Sequence, residues 1–241
     1  MANDIALAVE NLNKRFGGVI ATDNVSLAVP RGGIQCIIGP NGAGKSTFFS
    51  LLAGIQRPDS GKITFNGIDI TRLQPAPRVR QGLGLTFQTN RVFHDLSVRQ
   101  NLEIARASAA RADDQLRQDR YQLALDRFGL AAHEEALARK IPHHQRQWLE
   151  IVMVLACGPD LLLIDEPTAG MSPQETSNTA RVLRELNQTG LTLVVIEHDM
   201  TFVREIAQRV TVLHQGRIFA DGSLDEVTQR ADVRDIYLGR K

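Results

Sequence analysis

Nine consecutive residues, Gly39-Pro40-Asn41-Gly42-Ala43-Gly44-Lys45-Ser46-Thr47, set glycines ahead of a lysine and two hydroxyls. Glycines let backbone N–H groups turn toward an anion, and a lysine ammonium there neutralises the β and γ oxygens of a nucleoside triphosphate. Ser46 is then placed to ligate Mg2+, and Thr47 to add a hydroxyl at the α-phosphate. A glycine turn that merely joined a strand to a helix would not need a lysine beside a hydroxyl.

A second group is acidic. Leu161-Leu162-Leu163-Ile164 runs into Asp165-Glu166, two adjacent carboxylates at the end of an apolar run. Asp165 suits the holding of Mg2+, mostly through water, and Glu166 suits the polarising of an attacking water as general base. His198 follows another apolar run, Leu191 to Ile196, and is flanked by Glu197 and Asp199, where it could reach a γ-phosphate. Gln88 follows Leu83 to Phe87, and its amide can ligate Mg2+ or orient water. Taken singly, each has an ordinary structural reading: a helix cap or solvated turn for the acidic pair, a strand-end residue for His198, a surface amide for Gln88. Their conjunction with the glycine loop favours phosphate chemistry.

Such residues must be held by particular elements. Ile5 to Val9, Val25 to Val29 and Ile34 to Ile38 read as strands, separated by Gly17-Gly18 and by Pro30-Arg31-Gly32-Gly33. The third enters the glycine loop, and Phe48 to Ala53 follows as an apolar helix stopped by Gly54. Lys62 to Phe65 and Ile68 to Ile70 flank Asn66-Gly67 as a hairpin, and Leu83 to Phe87 is a further buried strand. From Ser97 to Leu137 the chain turns to Ala, Arg, Gln, Asp and Leu with helical spacing, a helical insert. Trp148 to Ala156 and Pro173 to Leu186 read as helices around the strand Leu161 to Ile164, and Leu191 to Ile196 as the next strand. After Asp199 come a helix, two short strands around Gln215-Gly216 and a polar helical tail. Strands alternating with helices imply an α/β fold with a mostly parallel sheet, so each candidate residue falls at the carboxyl edge where such sheets bind ligands.

The whole-chain chemistry narrows the function classes. The 241 residues carry 28 Lys plus Arg against 27 Asp plus Glu, a net charge of +1, so there is no whole-chain footprint for nucleic acid or anionic lipid. No apolar run approaches the roughly 18 residues of a membrane span. Met1-Ala2-Asn3-Asp4 lacks the marks of an export signal, and Cys36 and Cys157 lie far apart in apolar stretches, as buried thiols in a reducing cytosol would.

Together these residues resemble the nucleotide-binding subunit of an ABC transporter over essentially the whole chain. In that resemblance Gly39 to Thr47 is the Walker A loop, Leu161 to Glu166 Walker B, Gln88 the Q-loop glutamine and His198 the switch histidine. Phe16, in Lys14-Arg15-Phe16-Gly17-Gly18, matches the aromatic that stacks on adenine. The resemblance implies one ABC ATPase domain over 1–241. Residues 1–88 and 159–241 would form a RecA-like P-loop core with an antiparallel β lobe, and 89–158 a helical subdomain. It also implies Mg-ATP hydrolysis through Glu166 and His198, attachment to the inner face of the membrane, a membrane permease as partner and, indirectly, a solute-binding protein. Coupling to the permease would run through Gln88 to Leu96 and the helices after it. Finer features are similar to the hydrophobic amino acid and amide importers: Thr86-Phe87-Gln88 with Val92-Phe93, Gln147-Trp148-Leu149-Glu150, Ala169-Gly170-Met171-Ser172-Pro173, and Tyr237-Leu238-Gly239-Arg240. Trp148-Leu149-Glu150 is similar to the urea-type subunits within that group.

One segment departs from the pattern. Where the family carries Leu-Ser-Gly-Gly-Gln, this chain has Ile141-Pro142-His143-His144-Gln145. In the family this signature reaches across a head-to-tail dimer to the γ-phosphate on the partner's P-loop. Pro142 removes a hydroxyl and a backbone donor, and His144 stands where glycine lets backbone approach phosphate, so crowding is expected. Loss of the serine contact would cost roughly 1.5 to 3 kcal/mol, one to two decades of affinity or rate. The expectation is therefore a heterodimer with one competent site, built from this chain's Walker motifs and a second subunit's unaltered signature. The alternative is a regulatory or assembly subunit that binds ATP and hydrolyses it weakly. A soluble ABC ATPase acting on nucleic acid is disfavoured by the charge balance and by the absence of a long coiled insert.

Overall fold

The computed structural model describes residues 4–87, 91–107 and 115–238. Its first two strands, β1 (Ile5–Phe16) and β2 (Val19–Pro30), form one long antiparallel hairpin, longer than the two apolar segments visible in sequence. Irregular pairings along β1 bend the hairpin and carry its polar outer half beyond the apolar cores that mark it. β3 (Ile34–Ile38) is buried at every position and leads through the glycine loop into α1 (Lys45–Ala53). β4 (Ser60–Phe65) and β5 (Ile68–Asp69) make the expected hairpin, which ends one residue earlier than its apolar run.

Next come α2 (Pro75–Arg80), which the hydrophobic pattern does not announce, and β6 (Leu83–Leu85), two residues shorter than expected. The insert holds α3 (Val98–Ala107) and α4 (Gln115–Arg127), followed by α5 (His143–Ala156), which begins five residues before the predicted Trp148. β7 (Leu161–Asp165), α6 (Pro173–Gln188), β8 (Thr192–Ile196) and α7 (Met200–Ile206) continue the alternation. β9 (Arg209–His214), β10 (Arg217–Gly222), α8 (Leu224–Gln229) and α9 (Ala231–Leu238) complete the described chain.

The strands sort into two sheets. An antiparallel sheet runs β2-β1-β4-β5, and a six-stranded sheet runs β10-β9-β3-β8-β7-β6, parallel except for the β9–β10 hairpin. The central strands are covered on both faces, which is why they read as unbroken apolar runs. Alternate residues divide between two cores. Cys36, Leu162, Ile164, Leu193 and Val195 face α5, α6 and α7, together with Val98 and Leu102 of α3 and Phe128 beyond α4. Ile37, Leu161, Leu163, Val194 and Ile196 face α1 and the antiparallel sheet. Helices of the insert therefore share one apolar core with the parallel sheet.

Cys36 is fully buried and Cys157 only partly so, and both are free thiols. Among the described residues no helix is long and apolar enough to cross a membrane. The architecture is the expected α/β P-loop arrangement of a mostly parallel sheet with an antiparallel β lobe and a helical insert.

Candidate active site

β3, β8 and β7 are neighbours, and their register is level at one end: Ile37 pairs with Ile196, and Ile196 with Asp165. The glycine loop, Glu197-His198 and Asp165-Glu166 therefore leave the sheet side by side at its carboxyl edge.

The loop is held by close backbone approaches that exclude a side chain. A Cβ on Gly39 (φ +156°) would lie 2.2 Å from the Leu213 carbonyl oxygen on β9, and one on Gly44 (φ +101°) would lie 2.2 Å from that of Ala21 on β2. Gly216, in the β9–β10 turn, donates its N–H to the Ala43 carbonyl at 2.9 Å. The loop is thus wedged between β2 and β9 before α1 begins. No side chain caps α1, which leaves its first N–H groups and the positive end of its dipole to a ligand.

Lys45 is buried, and its Nζ donates to the carbonyls of Gly39 at 2.6 Å and Pro40 at 3.1 Å, folding back across the loop. Burial lowers its pKa, while Glu166, Asp165 and Glu197 pull it back up. Three carboxylates therefore lie within electrostatic reach of the ammonium. Asp165 is pushed up to about 6, first by burial and then by Glu166 and Glu197, with Lys45 opposing. A cation or an additional positive group at this place would favour its ionised form.

Ser46 is exposed at the start of α1, and Asp165 ends β7. A hydroxyl and a carboxylate are hard oxygen donors of the kind Mg2+ takes with phosphate oxygens and water. Among the described residues no group of three or more His, Cys, Asp or Glu could hold a metal ion.

Glu166 has φ +47°, a left-handed conformation uncommon for a residue with a side chain, and its N–H donates to the Ile196 carbonyl at 2.9 Å. That turn carries its carboxylate toward β8, where Oε1 lies 3.4 Å from His198 Nδ1. The His198 side chain is 60% exposed, so its ring is open to a ligand while one nitrogen faces Glu166. A carboxylate beside an imidazole at the mouth of a phosphate loop can take a proton from water while the ring hydrogen-bonds a phosphate oxygen.

Glu197 is the residue that sequence reasoning passed over, seen only as a neighbour of His198. It is fully buried and lies against the site from within. The signal was present: a charged residue directly after five buried strand positions requires partners.

The remaining expectations separate. Phe16 stands at the end of β1, 46% exposed, with Lys14 Nζ 5.4 Å from its ring centre. Its hairpin partner Val19 lies two residues from Ala21, the residue against Gly44, so the ring and the loop share one edge. Gln88 lies outside the described residues, as do Gly239 and Arg240.

Ile141 to Gln145 sits at the start of α5, where Pro142 is the N-cap and offers no side-chain bond. His144, at the position where crowding of the phosphate approach is expected, makes contacts within its own chain. Its Nδ1 lies 2.6 Å from Glu175 Oε1 on α6, and its ring packs edge-on against Trp148 at 4.7 Å.

Comparison with known proteins agrees with this geometry. The chain is 36% identical to the high-affinity branched-chain amino acid transport ATP-binding protein LivG of Salmonella typhimurium, over 97% of each chain. It is 33% identical to the arginine transport ATP-binding protein ArtM of Bacillus subtilis, over 91% of this chain and 92% of that one. Among solved structures, an ATP-binding cassette of an ABC transporter in its ADP conformation superposes with a TM-score of 0.86 at 29% identity, covering 98% of this chain and 99% of the other. A nucleotide-free cassette gives 0.84 at 28% identity, covering 97% and 98%. With residues 22–169 matching the ABC transporter family, and the phosphate loop, paired carboxylates and exposed histidine meeting at one sheet edge, the chain belongs to that family as one of its ATP-hydrolysing subunits.

Proposed function

We propose that this chain drives import of a small solute, a branched-chain amino acid ahead of urea or a short amide, through a separate membrane permease on whose cytoplasmic side it sits. The observation that carries the reading is the convergence of Lys45, Asp165, Glu166 and His198 at one sheet edge, in a chain so similar along its length to LivG.

The loop N–H groups and Lys45 bind the β and γ phosphates, and Phe16 stacks on the adenine. Ser46, Asp165 and Gln88 would hold Mg2+, which would supply charge neutralisation on the phosphate oxygens. Glu166 removes a proton from the attacking water, and His198 hydrogen-bonds the γ-phosphate. Residues 1–88 and 159–241 form the nucleotide-binding core, and 89–158 carries the permease-facing helices and the signature. ATP binding closes a cassette dimer, and loss of phosphate reopens it.

The favoured partner is a different cassette. Pro142 gives the head of α5 no side-chain cap, and His144 is turned onto Glu175 of its own chain. A homodimer would place that altered signature over both nucleotides. A heterodimer pairs this chain's P-loop with an unaltered signature and leaves one fully competent site. The same Pro142 favours the second reading, a subunit that binds ATP and regulates or assembles the complex while hydrolysing weakly.

The test is reconstitution in proteoliposomes with the permease and solute-binding protein, with and without a second cassette subunit. ATP-driven leucine uptake that needs both cassettes is the expected result. Uptake of urea but not leucine would overturn the solute assignment. Full ATPase activity from a homodimer would overturn both the heterodimer and the regulatory reading.

A further inference from the structure

The buried carboxylate of Glu197 joins the turn that follows Glu166 to the turn that carries His198. One oxygen accepts from the Thr168 hydroxyl and, at 3.3 Å, from the Thr168 N–H, in the turn that follows Glu166. The other accepts from the N–H groups of His198 at 2.6 Å and Asp199 at 3.1 Å. Four donors converge on a side chain that gives none back, the acceptor-only pattern that suits a carboxylate. His198 Nδ1 lies 3.5 Å from the same oxygen that binds its own N–H, and 3.4 Å from Glu166 Oε1. The Glu197 N–H donates to Ile37 on β3, so the anchor is itself fixed to the strand that enters the P-loop. Asp199 goes on to cap α7 through Thr201 and Phe202, which makes the segment after Glu197 a defined turn rather than a free loop.

We propose that Glu197 is a positioning residue for ATP hydrolysis, tying the Thr168 turn to the His198 turn so that Glu166 and His198 face the same phosphate. It does not itself meet the nucleotide, because it is fully buried beneath both loops. Its effect is on the distance between two other side chains. Glu166 leaves β7 in a left-handed conformation and is set at one end by its bond to Ile196. Thr168, two residues on, is set by Glu197. His198 is set from the other side by the same carboxylate. Without that shared anchor the Glu166 N–H bond to Ile196 still joins the two strand ends, but the tie from Thr168 to the His198 turn through Glu197 is lost. The inference rests on the roles given to Glu166 and His198 above.

The test uses the full transporter complex. E197Q keeps the shape but turns an NH2 toward N–H donors on one side. Turnover per folded molecule should fall roughly tenfold or more, while KM for Mg-ATP stays within about twofold of wild type. T168V removes only the hydroxyl arm and should lower turnover with the same unchanged KM, and T168S should restore it. A role in folding alone would lower apparent turnover only in proportion to the folded, nucleotide-binding fraction, so turnover is expressed per nucleotide-binding site. Wild-type turnover in E197Q or T168V, or loss in E197Q that follows its folded fraction while T168V is unaffected, overturns the proposal. E166Q in the same complex separates the two levels: if E166Q retains turnover the assignment of the reacting groups fails, and if E166Q is dead while E197Q is normal only the positioning role fails.

Discussion

His144 Nδ1 and Glu175 Oε1 are 2.6 Å apart, joining the first turn of the altered signature helix to the first turn of α6. Glu175 also accepts from the Ser172 N–H at 2.7 Å in a capping box, and four residues along α5 the Trp148 indole donates to Thr179 on α6 at 2.8 Å. The first turns of α5 are thus fastened to α6 by two rungs. His144 is turned onto its own chain, where α6 supplies an acidic partner and Trp148 an aromatic wall.

Restoring the family pattern should restore the missing donors. The double variant P142S/H144G returns a hydroxyl at the N-cap and frees the helix end, so ATPase activity of this chain as a homodimer should rise by roughly one to two decades. Steady-state phosphate release from the purified complex checks it. No rise would mean that the altered signature already stabilises the transition state.

Glu166→Gln keeps the hydrogen-bonding outline but cannot take a proton. General-base loss at such a site lowers turnover by about 100-fold or more. ATP binding should persist, with the dimer trapped closed, which size-exclusion chromatography with radiolabelled ATP reads directly. Turnover within about threefold of wild type would remove Glu166 from the chemistry.

The parts of the site legible in sequence were those whose chemistry is local. Gly39 to Thr47 announces itself because a phosphate loop needs its residues in one contiguous turn, and Asp165-Glu166 because strand and carboxylates are adjacent. Glu197 shows in sequence that it needs partners but not which: His198 and Asp199 are its neighbours, while Thr168 is brought to it by the pairing of β7 with β8. α2 was opaque for a different reason. Its start is a proline-rich segment with no apolar periodicity, and the residue it buries fully is a cation, Arg78. The direction of the His144 side chain depended on a residue more than two dozen positions away, and no local rule sets it.

Burial pushes the Glu150 carboxyl up to about 7, only partly offset by bonds from the backbone at Arg91 and Phe87. The folded state therefore holds a proton that the unfolded chain has released, between the ordinary value of 4.5 and about 7. Stability should fall as pH rises through that window, by about 3 kcal/mol once above it. Asp165 acts in the same direction between 3.8 and about 6, so the comparison needed is wild type against E150Q. The variant, neutral at every pH, should lose less stability than wild type between pH 5 and pH 8, read as thermal midpoints. Parallel curves for the two proteins would show that Glu150 does not titrate in this range.

Arg78 is fully buried, and its guanidinium donates to the carbonyls of Leu51 at 2.8 Å, Leu52 at 2.6 Å, Leu73 at 2.9 Å and Thr71 at 3.3 Å. Leu51 and Leu52 lie in the last turn of α1, so this cation closes the negative end of the helix whose other end faces the phosphates. Burial lowers its pKa to about 10, still well above physiological pH, so the charge persists. Arg78→Ala strands those carbonyls in the core and leaves a void, which should cost about 3 kcal/mol or more. Arg78→Lys fills most of the space but presents a compact ammonium in place of the planar fork, and cannot reach carbonyls on both sides at once. It should fall between alanine and wild type in urea unfolding. If R78A unfolded within about 1 kcal/mol of wild type, the carbonyls of α1 would have to find water instead, and the helix behind the phosphate loop would not depend on this cation.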